Sequence, residues 1–355
     1  MKSIINISAG FLLLASCANI VAPSGGDKDI SAPELLGTIV KESTRNQKHK
    51  AIEFEFNEYI QLNNWDQNFY ISPTLKNKPK KVVRGKKLIL TIEDTLNQNT
   101  TYYIVLNSCI KDNNEGNILD TLFYKFSLKE NYDTLSVTGK LQDAYSLSPL
   151  ENAWIMLFNK HINDTLIFKK TPTYVSKTNK NGFFYFPNLR ETDYKIVALT
   201  GFDFVYHDEE KLAFHEETIN LRVDSFISLF AFDPKVSVDV LTDSSQLKED
   251  SIIDNAIGFK GKLEIVTNEQ RPVIVQLLQN EKVIKENYFN QDPYLIDKIN
   301  AGNYQLRYII DSNQDSIWNT GNWEKKKQPE EVLIYPNEIT IRSNWDLILD
   351  WIIEE

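Results

Sequence analysis

Cysteine, glycine and proline are scarce in this chain of 355 residues, which contains 2 Cys, 13 Gly and 12 Pro. So few glycines disfavour a fold that lines a cofactor with glycine-rich loops. The sequence contains no nucleophile elbow, phosphate-binding loop, dinucleotide-binding fingerprint or Cys-x-x-Cys pair, which mark common catalytic sites. We therefore expect a protein that is not an enzyme and that requires no cofactor.

Positive charge is also in deficit, because 39 Lys and Arg face 49 Asp and Glu, for a net charge of −10. This charge repels phosphate backbones and excludes nucleic acid as an expected partner. Hydrophobic residues at 42% and charged residues at 25% exclude a disordered chain and a multi-span membrane protein. The 19 Phe and 16 Tyr favour aromatic-rich strands, and the length predicts two or three separate cores.

The first 17 residues have the pattern of an export signal. The apolar stretch from Ile4 to Ala15 is interrupted by Asn6 and is shorter than the roughly 20 residues that span a bilayer. Ala15 and Ser16 before Cys17 resemble the lipobox of bacterial lipoproteins, which implies a signal peptide over residues 1–17 and lipidation, such as palmitate, on Cys17. The alternative is a soluble secreted protein with a chance cysteine.

Residues 18–32 are small, polar and turn-forming, and they predict a flexible tether. Ala18 stands where many lipoproteins of the inner membrane have Asp, so the resemblance implies lipid anchoring in the outer membrane, with the leaflet left open. If Cys17 carries lipid, Cys109 is the one cysteine left and no intramolecular disulfide can form.

Residues 33–130 predict a first β-sandwich. Apolar and acidic residues alternate over 51–56, and further β-rich segments follow at 69–71, 87–92, 101–106 and 122–128. The strings Phe56–Ile60, Leu96–Tyr102, Ile110–Asn117 and Phe123–Phe126 resemble the bacterial Ig-like domain of S-layer-protein type.

Residues 134–235 predict a second sandwich. Val175–Thr178 and Phe183–Phe186 flank Asn179–Gly182, where Asn-Gly supplies the positive φ of a tight hairpin. With Asn152–Leu157 and Asn188–Leu199, these strings resemble the prealbumin-like, carboxypeptidase-regulatory type of sandwich, which implies a non-catalytic companion domain.

A shift of 110 residues places Tyr194-Lys195-Ile196 on Tyr304-Gln305-Leu306. This internal repeat predicts a second, divergent prealbumin-like domain over residues 236–355. Its expected strands cover 262–266, 273–278, 304–310, 331–335, 338–341 and 347–352. The predicted fold class is therefore all-β, with tandem β-sandwiches, Ig-like and then prealbumin-like, after an N-terminal signal helix.

Asp311, Asn313 and Asp315 place oxygen ligands at alternate positions, which resembles the first half of an EF-type calcium loop. Ser316 occupies the sixth position in place of Gly, and Asn322 the twelfth in place of Glu. The sequence thus offers a possible Ca²⁺ site, against the alternative of a solvated turn capped by its own Asp and Asn side chains.

Four of the six tryptophans lie between positions 318 and 351. Trp318 and Trp323 are candidates for stacking on sugar faces, whereas the alternative places buried indoles in a sandwich core.

The pattern Asp-[Ser/Thr]-aliphatic occurs six times and resembles the acceptor of an O-glycosylation system that some Gram-negative bacteria use on exported proteins. The alternative is that Asp before a β-branched residue begins strands. The six hydroxyl residues are Thr95, Thr121, Thr134, Thr165, Ser251 and Ser316.

These features predict a non-catalytic lipoprotein of the cell envelope that acts on the outer membrane as a scaffold, adhesion or protein-docking module with an envelope protein partner. The alternative is a glycan-binding lipoprotein that assists polysaccharide capture through the C-terminal tryptophans and calcium.

Overall fold

The computed structural model describes residues 28–43, 46–128, 130–235, 260–291 and 293–352. Their regular secondary structure is almost entirely strand; the exceptions are the α-helix α1 (Trp65–Asn68) and the 3₁₀ helix Asp164–Lys169. The all-β prediction is confirmed, while the predicted signal helix and Cys17 lie outside the described residues. Within the described ranges, no helix has the length and apolar character needed to cross a membrane.

The first sandwich packs the sheet β1-β2-β6-β5 against the sheet β4-β7-β9, and β3 pairs with β8. Its strands are β1 (Leu35–Ser43), β2 (Asn46–Phe56), β3 (Ile60–Leu62), β4 (Phe69–Ser72), β5 (Lys80–Arg84), β6 (Lys87–Ile92), β7 (Thr101–Asn107), β8 (Ile110–Asp112) and β9 (Thr121–Ser127). Phe54 and Phe56 are completely buried in its core, and Glu53 on the other face of β2 contacts Lys87 at 2.6 Å. The alternation of β2 thus separates a core face from a charged face.

The second sandwich pairs the sheet β13-β10-β17 with the sheet β12-β11-β14-β15, to which β16 adds through β14. Its strands are β10 (Leu135–Asp143), β11 (Trp154–Asn159), β12 (Tyr174–Lys177), β13 (Phe183–Leu189), β14 (Asp193–Leu199), β15 (Leu212–Phe214), β16 (Ile219–Asn220) and β17 (Phe226–Ala231). The pair β10 and β17 is parallel, whereas the other pairs are antiparallel.

The third sandwich repeats this topology strand for strand, with the sheets β21-β18-β25 and β20-β19-β22-β23 and with β24 on β22. Its strands are β18 (Gly261–Thr267), β19 (Val273–Gln279), β20 (Lys282–Phe289), β21 (Tyr294–Ile299), β22 (Gly302–Ile310), β23 (Val332–Ile334), β24 (Ile339–Ile341) and β25 (Asp346–Trp351). Its first and last strands, β18 and β25, are again parallel. Both copies thus have the same strand order, while the predicted domain boundaries and the prealbumin-like assignment stay predictions.

Equivalent tyrosines make the same hydrogen bond in the second and third sandwiches, at the turn that precedes β14 and β22; we call this turn the tyrosine corner. The Tyr194 hydroxyl donates to the Arg190 carbonyl at 3.0 Å, and the Tyr304 hydroxyl donates to the Asn300 carbonyl at 3.0 Å. Both rings are buried, and each hydroxyl bonds a backbone acceptor four residues upstream.

The expected hairpin at Asn179–Gly182 is wrong in one respect. Gly182 has φ of 78°, as the turn requires, but β12 pairs with β11 whereas β13 pairs with β10. The turn therefore carries the chain from one sheet to the other. Adding a Cβ to Gly182 would place it 2.4 Å from the Leu141 carbonyl oxygen, so close packing as well as φ demands glycine here.

We expect Tyr194→Phe and Tyr304→Phe each to lower the free energy of unfolding by about 1 kcal/mol, because each removes a part-buried hydrogen bond made by a buried ring. Chemical denaturation measures the change. The control is Tyr185→Phe, since Tyr185 is 48% exposed and its loss of a hydroxyl should leave the unfolding midpoint unchanged. Equal midpoints for all three variants would contradict the corner role.

Candidate functional site

The candidate residues of the C-terminal region lie in one connection, residues 311–331, between β22 and β23. Trp318 is only 7% exposed, its Nε1 donates to the Glu330 carbonyl at 3.0 Å, and its ring packs on Tyr145 of the second sandwich at 5.0 Å. Trp318 therefore has no open face on which a sugar can stack. The alternative of a buried indole is correct for this residue.

Trp323 is half-buried at the same junction. Its ring meets Phe214 edge-on at 5.2 Å and Phe168 at 5.0 Å, and the Lys326 ammonium lies 2.9 Å from the ring centroid. These contacts join the connection to the second sandwich and cover one ring face with a cation. The arrangement fits a packing role better than the proposed stacking on sugar.

The predicted calcium ligands bond to their own loop. Asp311 is fully buried, and its carboxylate accepts the backbone N–H groups of Asp315 at 3.2 Å and Ser316 at 2.8 Å. Asp315 in turn accepts the Asn313 amide at 2.8 Å and the Asn319 amide at 3.1 Å. The turn is capped by its own side chains, as the alternative predicts, although Asp311 is buried, not solvated.

In the part of the chain that the structure describes, no group of three or more His, Cys, Asp and Glu side chains is arranged to hold a metal ion. Ca²⁺ at Asp311, Asn313 and Asp315 stays a prediction. Glu330, which sequence reasoning did not identify, completes the loop by accepting the N–H groups of Ser312 and Asn319 at 2.8 and 3.0 Å. Burial and the nearby Asp311 and Asp315 carboxylates raise the pKa of Glu330.

Close packing fixes the connection against the second sandwich. A Cβ on Gly321 would lie 2.4 Å from the buried Phe232 ring, so only glycine allows this approach. The Thr320 hydroxyl donates to the Asp233 carbonyl at 3.0 Å, and the Gln328 amide donates to the Phe214 carbonyl at 2.9 Å. The third sandwich is thus bonded to the second through backbone groups as well as rings.

Tyr145 reaches this junction from a turn that Asp143 organises. The Asp143 carboxylate accepts the N–H groups of Tyr145 and Ser146 at 3.1 and 2.7 Å and pairs with Lys211. Burial raises the pKa of Asp143, but the Lys211 ammonium and the Ser146 donors outweigh burial, so its pKa lies below the ordinary 3.8.

A second junction joins the first and second sandwiches. The Tyr103 hydroxyl donates to the Val175 carbonyl at 2.9 Å, the Val175 N–H donates to the Ser72 hydroxyl at 3.0 Å, and Tyr70 packs edge-on against Trp154 at 5.6 Å. Burial raises the pKa of Tyr70 to about 12. The sequence carries no signal for this junction, because a strand tyrosine that faces a neighbouring domain looks like one that faces its own core.

The candidate glycosylation hydroxyls share one property. All that the structure describes are exposed, namely Thr95, Thr121, Thr134, Thr165 and Ser316, while Ser251 lies outside the described residues. Exposure is what a modifying enzyme requires, and the modification itself stays a prediction.

Cys109 is the cysteine that the structure describes, and it is fully buried. Burial raises the pKa of its thiol to about 12, so the thiolate that a nucleophile needs does not form at neutral pH. This residue therefore supplies packing, not chemistry.

We expect Trp318→Ala to lower the free energy of unfolding by about 3–5 kcal/mol, because it empties an aromatic site at the junction between the second and third sandwiches. Limited proteolysis should then cut between the second and third sandwiches. The matched control is Trp345→Ala, since Trp345 is 58% exposed and should cost less than about 0.5 kcal/mol. Similar costs for both variants would contradict the assignment.

Asp143→Asn tests the turn through its pH dependence. A carboxyl whose pKa is lower in the folded than in the unfolded chain stabilises the fold above the unfolded pKa and loses that effect as the pH falls through the folded pKa. The variant should therefore melt below the wild type at about pH 7, and the gap should close below about pH 3.8. Thermal melts over this range measure it, with the exposed Asp346→Asn as control; a gap that persists in acid would contradict it.

Comparison with known proteins finds a family match for the first sandwich and similar solved structures for larger parts of the chain. The chain matches no curated protein. Among solved structures it is similar to the minor pilin GBS52 of Streptococcus agalactiae at 14% identity, over 62% of this chain and 95% of that chain, with a TM-score of 0.21. It is also similar to the major pilin subunit BcpA of Bacillus cereus at 11% identity, over 52% and 64% of the two chains, with a TM-score of 0.18, and to α-2-macroglobulin of Escherichia coli, spanning domains MG0-NIE-MG1, at 10% identity, over 85% and 96%, with a TM-score of 0.23. Residues 29–128 match the family model of the bacterial Ig-like domain.

Proposed function

We propose that this chain is a non-catalytic lipoprotein of the cell envelope that is anchored to the outer membrane through Cys17. Its sandwiches act as a scaffold that presents a docking surface to an envelope protein partner. The Ig-like domain at residues 29–128 supports a structural or adhesive role, since such sandwiches present loops and strand faces without a catalytic cleft.

The observation that carries the proposal is the pair of built junctions. Val175 is bonded to both Tyr103 and Ser72 of the first sandwich, and Trp318 and Gly321 pack the third sandwich on the second. Flexible linkers between independent binding domains need no such buried contacts. Fixed junctions suit a protein whose task is to hold surfaces at defined positions relative to each other.

An exposed aromatic face supplies the surface for a partner. Tyr185, Thr138 and Phe226 lie in one row across β13, β10 and β17, and Tyr185 and Phe226 are 48% and 52% exposed. Phe183 and Phe230 on the same face are 44% and 40% exposed. Aromatic rings are enriched where proteins bind each other, so we place the protein partner on this face.

The glycan alternative loses its main support, because Trp318 is buried and Trp323 is packed under Lys326. The five exposed candidate hydroxyls allow a different relation to sugar, in which this protein carries glycans on its surface. In the proposed function those glycans border the sandwiches and leave the aromatic face open.

Cell fractionation with a fatty-acid tracer tests the anchor. The wild type and the matched control Cys109→Ala are expected to incorporate palmitate and to sediment with outer-membrane vesicles, whereas Cys17→Ser should remain unlabelled and soluble. Unlabelled wild type, or Cys17→Ser that still sediments with the vesicles, would overturn the proposed anchor.

Photo-crosslinking in intact cells tests the docking face with the same strains. A crosslinker at position 185 or 226 is expected to capture one and the same envelope protein, while a crosslinker at the exposed Lys262 of the third sandwich should not. Capture that is equal from all three positions, or from none, would overturn the assignment of the partner to this face.

A further inference from the structure

A buried arginine without a counter-ion lies on the outward face of the third sandwich. Arg307 of β22 is 7% exposed and is the cross-strand partner of Gln276 of β19, which is 2% exposed. Arg307 Nη1 donates to Gln276 Oε1 at 3.2 Å, and Arg307 Nε has no hydrogen-bond partner. Among the described residues no carboxylate lies within ion-pair distance of this guanidinium. Burying a charge in this way is strongly unfavourable unless something else compensates it.

The internal repeat shows that the fold does not require this pair. Tyr304 corresponds to Tyr194, so Arg307 and Gln276 correspond to Val197 and Met156, which pair across β14 and β11. Val197 and Met156 are buried at 1% and 0% exposure. The same position in the same topology is therefore filled by an apolar pair, so the topology itself does not require the polar pair. In the third sandwich Gln276 also donates to the Tyr145 hydroxyl of the second sandwich at 3.1 Å.

Arg307 and Gln276 line a cavity of about 1010 Å³ between the two sandwiches. The Tyr145 ring lies 4.5 Å from the guanidinium carbon and orients it. The lining is rich in neutral hydrogen-bonding groups, contributed by Ser146, Gln279, Asn280, Asn303 and Gln305. Gln276 also donates to Glu286 at 2.6 Å, so a bonded row runs from Arg307 to the cavity rim.

The charges of the lining restrict the ligand. A ligand carboxylate that reaches Arg307 from the cavity supplies the counter-charge that the guanidinium lacks. Glu281, Glu286 and Glu338 also line the cavity and face only one other cation, Lys282, so additional negative charge is repelled. Amides, hydroxyls and rim carboxylates are the groups that bond sugar hydroxyls. We propose that this cavity binds an acidic sugar, a uronic acid residue, whose carboxylate pairs with Arg307.

Ligand-observed NMR with the purified chain tests the proposal, using D-glucuronate and D-galacturonate as probes. At least one is expected to bind with a Kd of about 1 mM or tighter. Methyl glucoside, which has no carboxylate, and inorganic phosphate, which carries more charge, are expected to bind at least about tenfold more weakly. The matched variant is Gln276→Met with Arg307→Val, which copies the pair of the second sandwich. It should melt at or above the wild-type temperature and bind uronate at least about tenfold more weakly.

Absence of uronate binding to the wild type, or equal binding by the folded double variant, would overturn the proposal. Binding of methyl glucoside or phosphate as tight as uronate would overturn the assigned ligand class. The test needs neither Cys17 nor a protein partner, so its outcome is independent of the proposed anchor and docking face.

Discussion

Burial of apolar side chains across the junctions is the constraint on which the structure depends. The buried cluster of the second sandwich is continuous with Tyr70 and Tyr103 of the first and with Ile309 and Trp318 of the third. Each neighbour covers a sheet face that would otherwise be exposed to water. The outward face of β11 is covered by Tyr70 through Trp154, and the outward face of the third sandwich is covered by the Tyr145 turn. The second sandwich is thus covered by a residue of the first, and the third by a residue of the second.

The strands that were predicted accurately are those whose apolar residues follow the pattern expected of a strand inside a sheet. β6 (Lys87–Ile92) was predicted to the residue, and the central strands β7, β19 and β22 to within two residues at each end. β1, β20 and β21 were missed, because edge strands are covered on one side only and their polar residues read as turns. β20 is such a strand, with Ile284 exposed between Lys282 and Lys285 and with Tyr288 exposed near its end. Alternation of apolar and polar residues indicates a strand with one buried face. A strand without this alternation cannot be recognised from the pattern.

The sequence leaves the candidate site ambiguous for a related reason. Acids and amides at alternate positions, as in Asp311 and Asn313, serve equally to coordinate a cation or to accept the N–H groups of a turn. Trp318 likewise looks the same in sequence whether its ring meets a sugar or Tyr145. For Trp318, the two interpretations differ in what contacts the ring. The contact comes from Tyr145, which lies more than 150 positions away in the sequence. The repeat was predictable because it compares the sequence with itself, and Tyr194 and Tyr304 keep their hydroxyl bonds in both copies.

Comparison of the second and third sandwiches also distinguishes residues that the shared topology requires from residues that are particular to one sandwich. Where both copies agree, as at the buried tyrosine corners, the residue serves the fold. Where they differ at an equally buried position, the surroundings differ as well: Gln276 and Arg307 border a cavity, whereas Met156 and Val197 belong to the continuous apolar core of the second sandwich. A polar pair is tolerated beside a cavity because water or a ligand can supply the missing bonds, and it would be excluded from a sealed face. Arg307 can occupy a buried position on the outward face of the third sandwich because the Tyr145 turn leaves a cavity beside it.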